Sequence, residues 1–253
     1  MEGLLSTGPT PSSFEAIRNN KDKGGTMLGI HKSLNPVLVE EYSDTFELLV
    51  TEIKVVEKQR RVITGYGPQE DWSAVEKMPF CIALEEEISK AQMEGKSILI
   101  ELDANSKLGP EYIKNDPKQM SPNGRILGGI LDRHALIVVN GINEKASGVI
   151  TRQRSTRSNS EESAIDFVII SSDLLESLVS IHTDEERKSV LTSITQAKKG
   201  IVRHESDHNS IVTQLNIKWE SKNVPERIEM FNFNDVEGQQ KFKELTNNTN
   251  TLS

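Results

Sequence analysis

The stretch SILIELDANSKLG, residues 97–109, holds a short, almost unbroken apolar run that stops at Asp103-Ala104-Asn105. A run of that length closed by a turn signal reads as a buried strand whose carboxyl end opens at a rim. It follows EKMPFCIALEEEISKAQMEG, residues 76–95, where Phe80, Leu84, Ile88 and Met93 recur at near-helical spacing and Gly95 closes the pattern, as in an amphipathic helix. NGRILGGILDRHA reads as a second helix in spite of Gly128-Gly129, and ALIVVN and SAIDFVIISS as further strands. Upstream, TMLGIHK, PVLVEEY, FELLVTEIKVV and RRVITGYG are separated by turn signals such as Leu34-Asn35-Pro36 and read as an antiparallel meander. Strands alternating with helices confine the chain to the α/β or layered α+β class.

The 253 residues suffice for one sizeable core, so a single main domain is expected. An apolar fraction of 35% beside 27% charged residues points to polar ends around that core. Residues 1–23, rich in Gly, Pro, Ser, Asn and Lys, show no sustained period and read as disordered, with Gly24-Gly25 turning into a domain over 24–219. Beyond Trp219, residues 220–253 read as a linker and a short charged helix. The net charge of −8 argues against a general coat for polyanions and leaves room for a local basic strip. Cys81 is the single cysteine, which excludes a disulfide framework or thiolate zinc cluster within one chain and fits a reducing compartment. With no apolar run near the roughly 18 residues of a bilayer span and no secretory h-region, the chain reads as intracellular, nuclear or cytoplasmic.

The string H-E-S-D-H, residues 204–208, matches the H-E-x-x-H pattern of zinc proteases. That chemistry needs both imidazoles on one face of a continuous helix, but Ser206, Asp207, Asn209 and Ser210 compete with helical backbone hydrogen bonding. Directly afterwards Ile211, Thr213, Leu215, Ile217 and Trp219 alternate with Val212, Gln214, Asn216 and Lys218, the period of a half-buried strand. The string is therefore a loop entering a strand, and what remains is S-D-H at a strand mouth.

Three further items join it: G-Y-G-P containing Tyr66, D-A-N containing Asp103 and Asn105, and I-D-F containing Asp166. In the order Y-x-P, D-x-N, I-D-F and S-D-H-x-x-I, with GGTMLGIHKSL upstream, the chain resembles the endonuclease/exonuclease/phosphatase superfamily over about residues 24–219. The phrasing G-Y-G-P-Q-E-D-W and the chain past Trp219 resemble most the endonuclease domain of non-LTR retrotransposon polyproteins. The resemblance implies a DNase I-like four-layer α-β-β-α sandwich, DNA as partner, Mg²⁺ as cofactor and a reverse transcriptase domain in the parent polyprotein.

It also implies roles. His208 would meet the scissile phosphate as acid/base or electrostatic stabiliser, with Asp166 accepting its other ring N–H. Asp103 would orient or deprotonate the attacking water, Asn105 would donate to a phosphate oxygen, and Tyr66 would bond the phosphate through its phenol. Asp207 would be a metal-side carboxylate, Mg²⁺ typically taking one or two. For D-A-N-S-K the alternative is a turn that merely closes a strand. Arg152, Arg154 and Arg157, among Ser155, Thr156 and Ser158, suit contacts to a phosphate backbone, or else form a solvated loop. His31, His134, His182 and His204 read as surface or turn residues, and Glu85-Glu86-Glu87 and Asp184–Lys188 as solvated helix faces.

Two departures stand out. Leu102 occupies the place where the family usually has Gly before the Asp, which predicts a slight loop shift. The family's first two strands, the second ending in a Mg²⁺-binding glutamate, lie upstream of the G-G strand, where this sequence has only 23 loop-like residues. The expectation is a domain lacking its first strands, with impaired or no nuclease activity, or an inactive module that binds nucleic acid or protein.

Overall fold

Strands outnumber helices in the computed structural model, which describes residues 14–18, 26–42, 46–55, 58–142, 144–155, 160–190, 192–197 and 200–217. In chain order they are β1 (Phe14–Arg18), β2 (Met27–His31), β3 (Val37–Tyr42), β4 (Glu47–Val55) and β5 (Lys58–Tyr66). Helix α1 (Ala74–Met93), β6 (Ser97–Asp103), helix α2 (Pro122–Arg133), β7 (Leu136–Val138) and β8 (Ala146–Ser147) follow. Then come β9 (Arg152–Ser155), β10 (Ser160–Ser163), β11 (Asp166–Ser171), β12 (Leu178–Thr183), β13 (Thr192–Ala197), β14 (Gly200–Glu205) and β15 (Ile211–Leu215).

The central six-stranded sheet has the order β3-β4-β5-β6-β11-β7. Only β5 and β6 pair in parallel within it, and the crossover that such a pair requires is α1. At the start of α1 the Ser73 N–H and hydroxyl both donate to the Glu76 carboxylate, at 2.8 and 2.7 Å. Ser121 caps α2 by accepting from the Gly124 N–H at 3.1 Å, with Pro122 in the first turn.

Period-2 alternation decides which layer each strand residue joins. Leu48, Val50, Ile63, Ile98, Ile100 and Leu102 point to the helical side, against Phe80, Leu84, Ile88 and Leu131. On the opposite face, Leu49 and Val62 meet Leu28 and Ile30 of the β1–β2 hairpin. Further along that face, Val168 and Ile170 meet Leu178 and Ile181 of the small sheet β15-β12-β8. Both α-helices belong to the first layer, and a helical layer beyond the second sheet is not among the described residues.

Four expectations need correction. Phe14–Arg18, read as loop-like, is a strand paired antiparallel with Met27–His31; five residues are too short a run for periodicity to register, and the partner strand supplies the order. Met93, placed on the apolar face of α1, is 80% exposed, because the buried face runs through Leu84, Ile88 and Ala91, and a residue two places past Ala91 turns to the opposite side of the helix. Glu87 is no solvated residue: at 1% exposure it takes hydrogen bonds from Arg61 Nη1 at 2.8 Å and Lys90 Nζ at 2.5 Å. Residues 184–188 form turns, not a helix, with Arg187 in the left-handed region at φ 58°. Residues 1–13, 19–25 and 156–159, including Arg157, and the segment 218–253 lie outside the described residues. Among the described residues no helix is long and apolar enough to cross a membrane.

Candidate active site

Strand register sets out the site. Glu47 is the partner of Tyr66 across β4 and β5, Tyr66 of Asp103 across β5 and β6, and Asp103 of Asp166 across β6 and β11. Partners in register share a face, so one row of polar side chains runs along the rim toward the second sheet. S-D-H reaches this row as the turn between β14 and β15. Its approach is fixed by an isolated bridge between Arg152 and His208, by Gln153 N–H donating to Asp207 O at 2.8 Å, and by Asn209 N–H donating to Thr151 O at 2.6 Å.

The imidazole of His208 joins the two sides. Its Nδ1 lies 3.0 Å from both carboxylate oxygens of Asp166, and Nε2 faces Asp103 Oδ2 at 3.8 Å and Asp207 Oδ1 at 3.9 Å. With the proton on Nδ1 held by Asp166, Nε2 is the atom presented to a ligand.

Burial and the neighbouring Asp166 charge push the Asp103 carboxyl up from 3.8 to about 6, although His208 pulls it down. The hydrogen bond to Asp166 raises His208 above its usual range, against the opposing effect of burial. Burial would raise Asp207, but the Arg152 hydrogen bond and charge outweigh it and hold this carboxyl below its usual range. Near neutrality the site thus holds a basic carboxylate beside an imidazole that favours its charged form.

Tyr66 is 36% exposed, and its phenol accepts a hydrogen bond from Gln69 Nε2. Asn105, left-handed at φ 45°, donates from its N–H to Asp103 Oδ1 at 3.1 Å and from Nδ2 to Gly67 O at 2.9 Å. It therefore locks the D-A-N turn to the end of β5. The close approach explains Gly67, where an added Cβ would meet Ala104 O at 2.6 Å. The Leu102 side chain is buried on the helical face opposite Gly65, and Asp103 keeps register with both neighbours. Arg152 is engaged, its Nε 2.9 Å from Asp207 Oδ2, while Arg154 is exposed on the same hairpin.

Three buried residues that sequence reasoning missed hold the row in place. Thr151 Oγ1 accepts from the N–H groups of Ile165 at 2.9 Å and Asp166 at 3.0 Å. Asn140 donates to Asp166 O at 3.2 Å and accepts from Val168 N–H at 2.8 Å. Asn209 donates from Nδ2 to Ile150 O at 2.6 Å. Asn140, the polar residue that ends the apolar run ALIVVN, carried the only sequence signal of the three.

Asp103, Asp166 and His208 offer ligand atoms within 4.8 Å of one another, the cluster among the described residues that could hold a metal ion. The hard oxygen donors of this cluster are the carboxylates of Asp103 and Asp166, a number that suits Mg²⁺, and Asp166 also holds Nδ1 of His208. The raised Asp103 carboxyl, pressed by a second carboxylate, marks a place where a cation would relieve repulsion.

No family model and no curated protein matches the sequence. Solved structures do match in fold. The endonuclease domain of TRAS1, a telomere-specific non-LTR retrotransposon, aligns with a TM-score of 0.53 at 15% identity over 81% of each chain. The 3′-5′ exonuclease NExo from Neisseria meningitidis aligns at 0.58 and 12% identity over 81% of this chain and 80% of that one. The AP endonuclease LMAP from Leishmania major aligns at 0.57 and 11% identity over 80% of this chain and 70% of that one. The mixed sheet, the helices on one of its faces and these likenesses agree: the chain has the DNase I-like fold that endonuclease/exonuclease/phosphatase proteins share.

Proposed function

We propose that this chain is a Mg²⁺-dependent phosphodiester hydrolase module acting on DNA, of the retroelement endonuclease type, with low intrinsic activity. The observation that carries the reading is the imidazole of His208 held by Asp166 at 3.0 Å, with Nε2 turned toward Asp103 and Asp207 on one sheet rim. In support, NExo also has a structure bound to a product DNA hairpin, at a TM-score of 0.56. A reverse transcriptase domain in the same polyprotein is the partner that the retroelement phrasing suggests.

The chemistry follows from the protonation states. Asp103, titrating near 6, accepts a proton from water in the neutral range, and the water oxygen attacks phosphorus. Protonated His208 donates from Nε2 to a phosphoryl oxygen and offsets the charge that builds there. The bond from phosphorus to the leaving oxygen breaks, and that oxygen takes the electron pair. Asp207 would hold Mg²⁺, which would supply Lewis-acid polarisation of the phosphoryl group when bound. Arg154 and Arg157 would contact flanking phosphates, whereas Arg152 holds Asp207.

Low activity is proposed because the resemblance implies a glutamate for the metal, and the cluster among the described residues comprises two aspartates and a histidine. Loss of one such electrostatic element costs roughly a hundred- to a thousand-fold in rate. That observation also favours a second reading, an inactive module that binds nucleic acid or a protein. A plasmid-nicking assay with Mg²⁺ separates the two. Weak nicking that disappears in His208→Ala supports the hydrolase, and DNA binding without nicking by either protein supports the second reading.

A further inference from the structure

The turns over 184–190, which join β12 to β13, run beside S-D-H and are fastened to it. Asp184 N–H donates to Ser210 O at 2.9 Å, Ser210 Oγ donates to Ser189 O at 2.7 Å, and Ser189 N–H donates to Asp184 Oδ2 at 2.6 Å. Arg187 sits in the middle of this segment, half-buried, at φ 58°. A non-glycine residue in the left-handed region is held there by its surroundings. The guanidinium is what that backbone aims. Its Nη2 donates to Ser206 O at 2.5 Å, and its Nη1 to Asn209 Oδ1 at 3.3 Å and Asp207 O at 3.4 Å. Two of these acceptors precede His208 in the chain and one follows it.

We infer that Arg187 is a positioning residue for His208, its guanidinium gathering the S-D-H turn so that the imidazole meets Asp166. The turn is short, and its carbonyls at 206 and 207 converge on one side, so a cation that reaches both fixes the path of the chain between them. A planar fork with two donor nitrogens spans such acceptors, and an ammonium, a single point charge, does not. Arg187 touches the turn from outside the rim and makes no contact with Asp166 or Asp103 among its hydrogen bonds. The inference rests on reading His208 as the group that meets the phosphate, but its geometry can be tested without turnover.

The test uses the full chain with Arg187→Ala, Arg187→Lys and His208→Gln. The imidazole N–H held by Asp166 gives a downfield proton resonance, assigned by its loss in His208→Gln. Expected is loss or broadening of that resonance in Arg187→Ala, and its return on adding millimolar guanidinium ion. Where nicking is measurable, kcat falls on the order of a hundredfold, the scale of a small misplacement, with KM for DNA nearly unchanged. Arg187→Lys is expected to show the same loss in milder form. An unchanged resonance in folded Arg187→Ala overturns the inference. If that variant does not fold, a wild-type resonance in folded Arg187→Lys overturns it instead. Absence of nicking in the wild type, with the resonance responding as described, removes the hydrolase reading and leaves the positioning role standing.

Discussion

Asp103 and Asp166 stand directly opposite each other across β6 and β11, two carboxylates on one face of one sheet. The arrangement works against the fold. Asp103 releases its proton near 3.8 when unfolded and near 6 when folded, so between those values the native state binds more protons and stability falls as pH rises. Above about 6 the cost stays constant. Asp103→Asn should therefore stabilise the protein at pH near 8 by about 1–3 kcal/mol, at about 1.4 kcal/mol per pKa unit, and abolish nicking. Urea denaturation on either side of the window, near pH 3 and pH 8, checks the sign: the gain should vanish in acid.

For His208 the pH slope has the same sign, but the raised pKa is a gain where the charge is present rather than a cost. A raised imidazole pKa contributes stability that is fully present below about 6.5, the unfolded value, and is lost as pH rises through the folded value. The same two groups shape the rate. The pH profile of kcat/KM should rise with a midpoint of about 6, set by Asp103, and fall again above the ordinary histidine range as His208 loses its proton. Asp166→Asn should move the falling limb toward acid. A falling limb unmoved by that substitution would show that another group governs it.

Thr151 gives a test of the scaffold. Thr151→Val keeps the shape of the side chain and removes the one acceptor shared by the Ile165 and Asp166 N–H groups. A buried polar group left without a partner costs about 1–3 kcal/mol, so a loss of that order in urea unfolding is expected. Thr151→Ser should retain most of the stability.

Charge burial far from the site predicts a contrast. Arg61 and Glu87, with side chains 3% and 1% exposed, form an ion pair under α1 that Glu52 and Lys90 extend. Glu87→Ala takes the most buried of three carboxylates from the Arg61 guanidinium, which Glu52 and Glu94 still pair at 2.6 and 2.9 Å, and the lost charged hydrogen bond should cost about 1.5–3 kcal/mol. Glu186→Ala breaks the pair with Lys188, whose side chains are 73% and 74% exposed, and should leave the thermal midpoint unchanged. Thermal unfolding of the two variants side by side measures the difference.

Elements with an unbroken period were legible in the sequence. SILIELD and DFVIIS appear as β6 and β11, and the alternation after Asn209 separates S-D-H from a zinc-protease helix. The meeting of His208 with Asp166 followed from resemblance and strand-mouth position together. β12 and the β13–β14 hairpin were not legible, since their order comes from pairing and their polar residues blur the alternation. Nor was the engagement of Arg152 by Asp207, because a loop arginine carries no mark of which partner the folded chain will bring. Thr151 and Asn209 escaped notice for the same reason: their value lies in contacts made across long sequence separations.

The row from Glu47 through Tyr66 and Asp103 to Asp166 spans four strands at a single level. Pairing any of these strands one residue out of step would swing its member through to the helical side and bring an apolar neighbour, or for Tyr66 a glycine, into its place. No intermediate alignment keeps part of the arrangement. Insertions or deletions inside β4, β5, β6 or β11 are therefore silenced outright, while changes of length in the connecting loops leave the chemistry where it was.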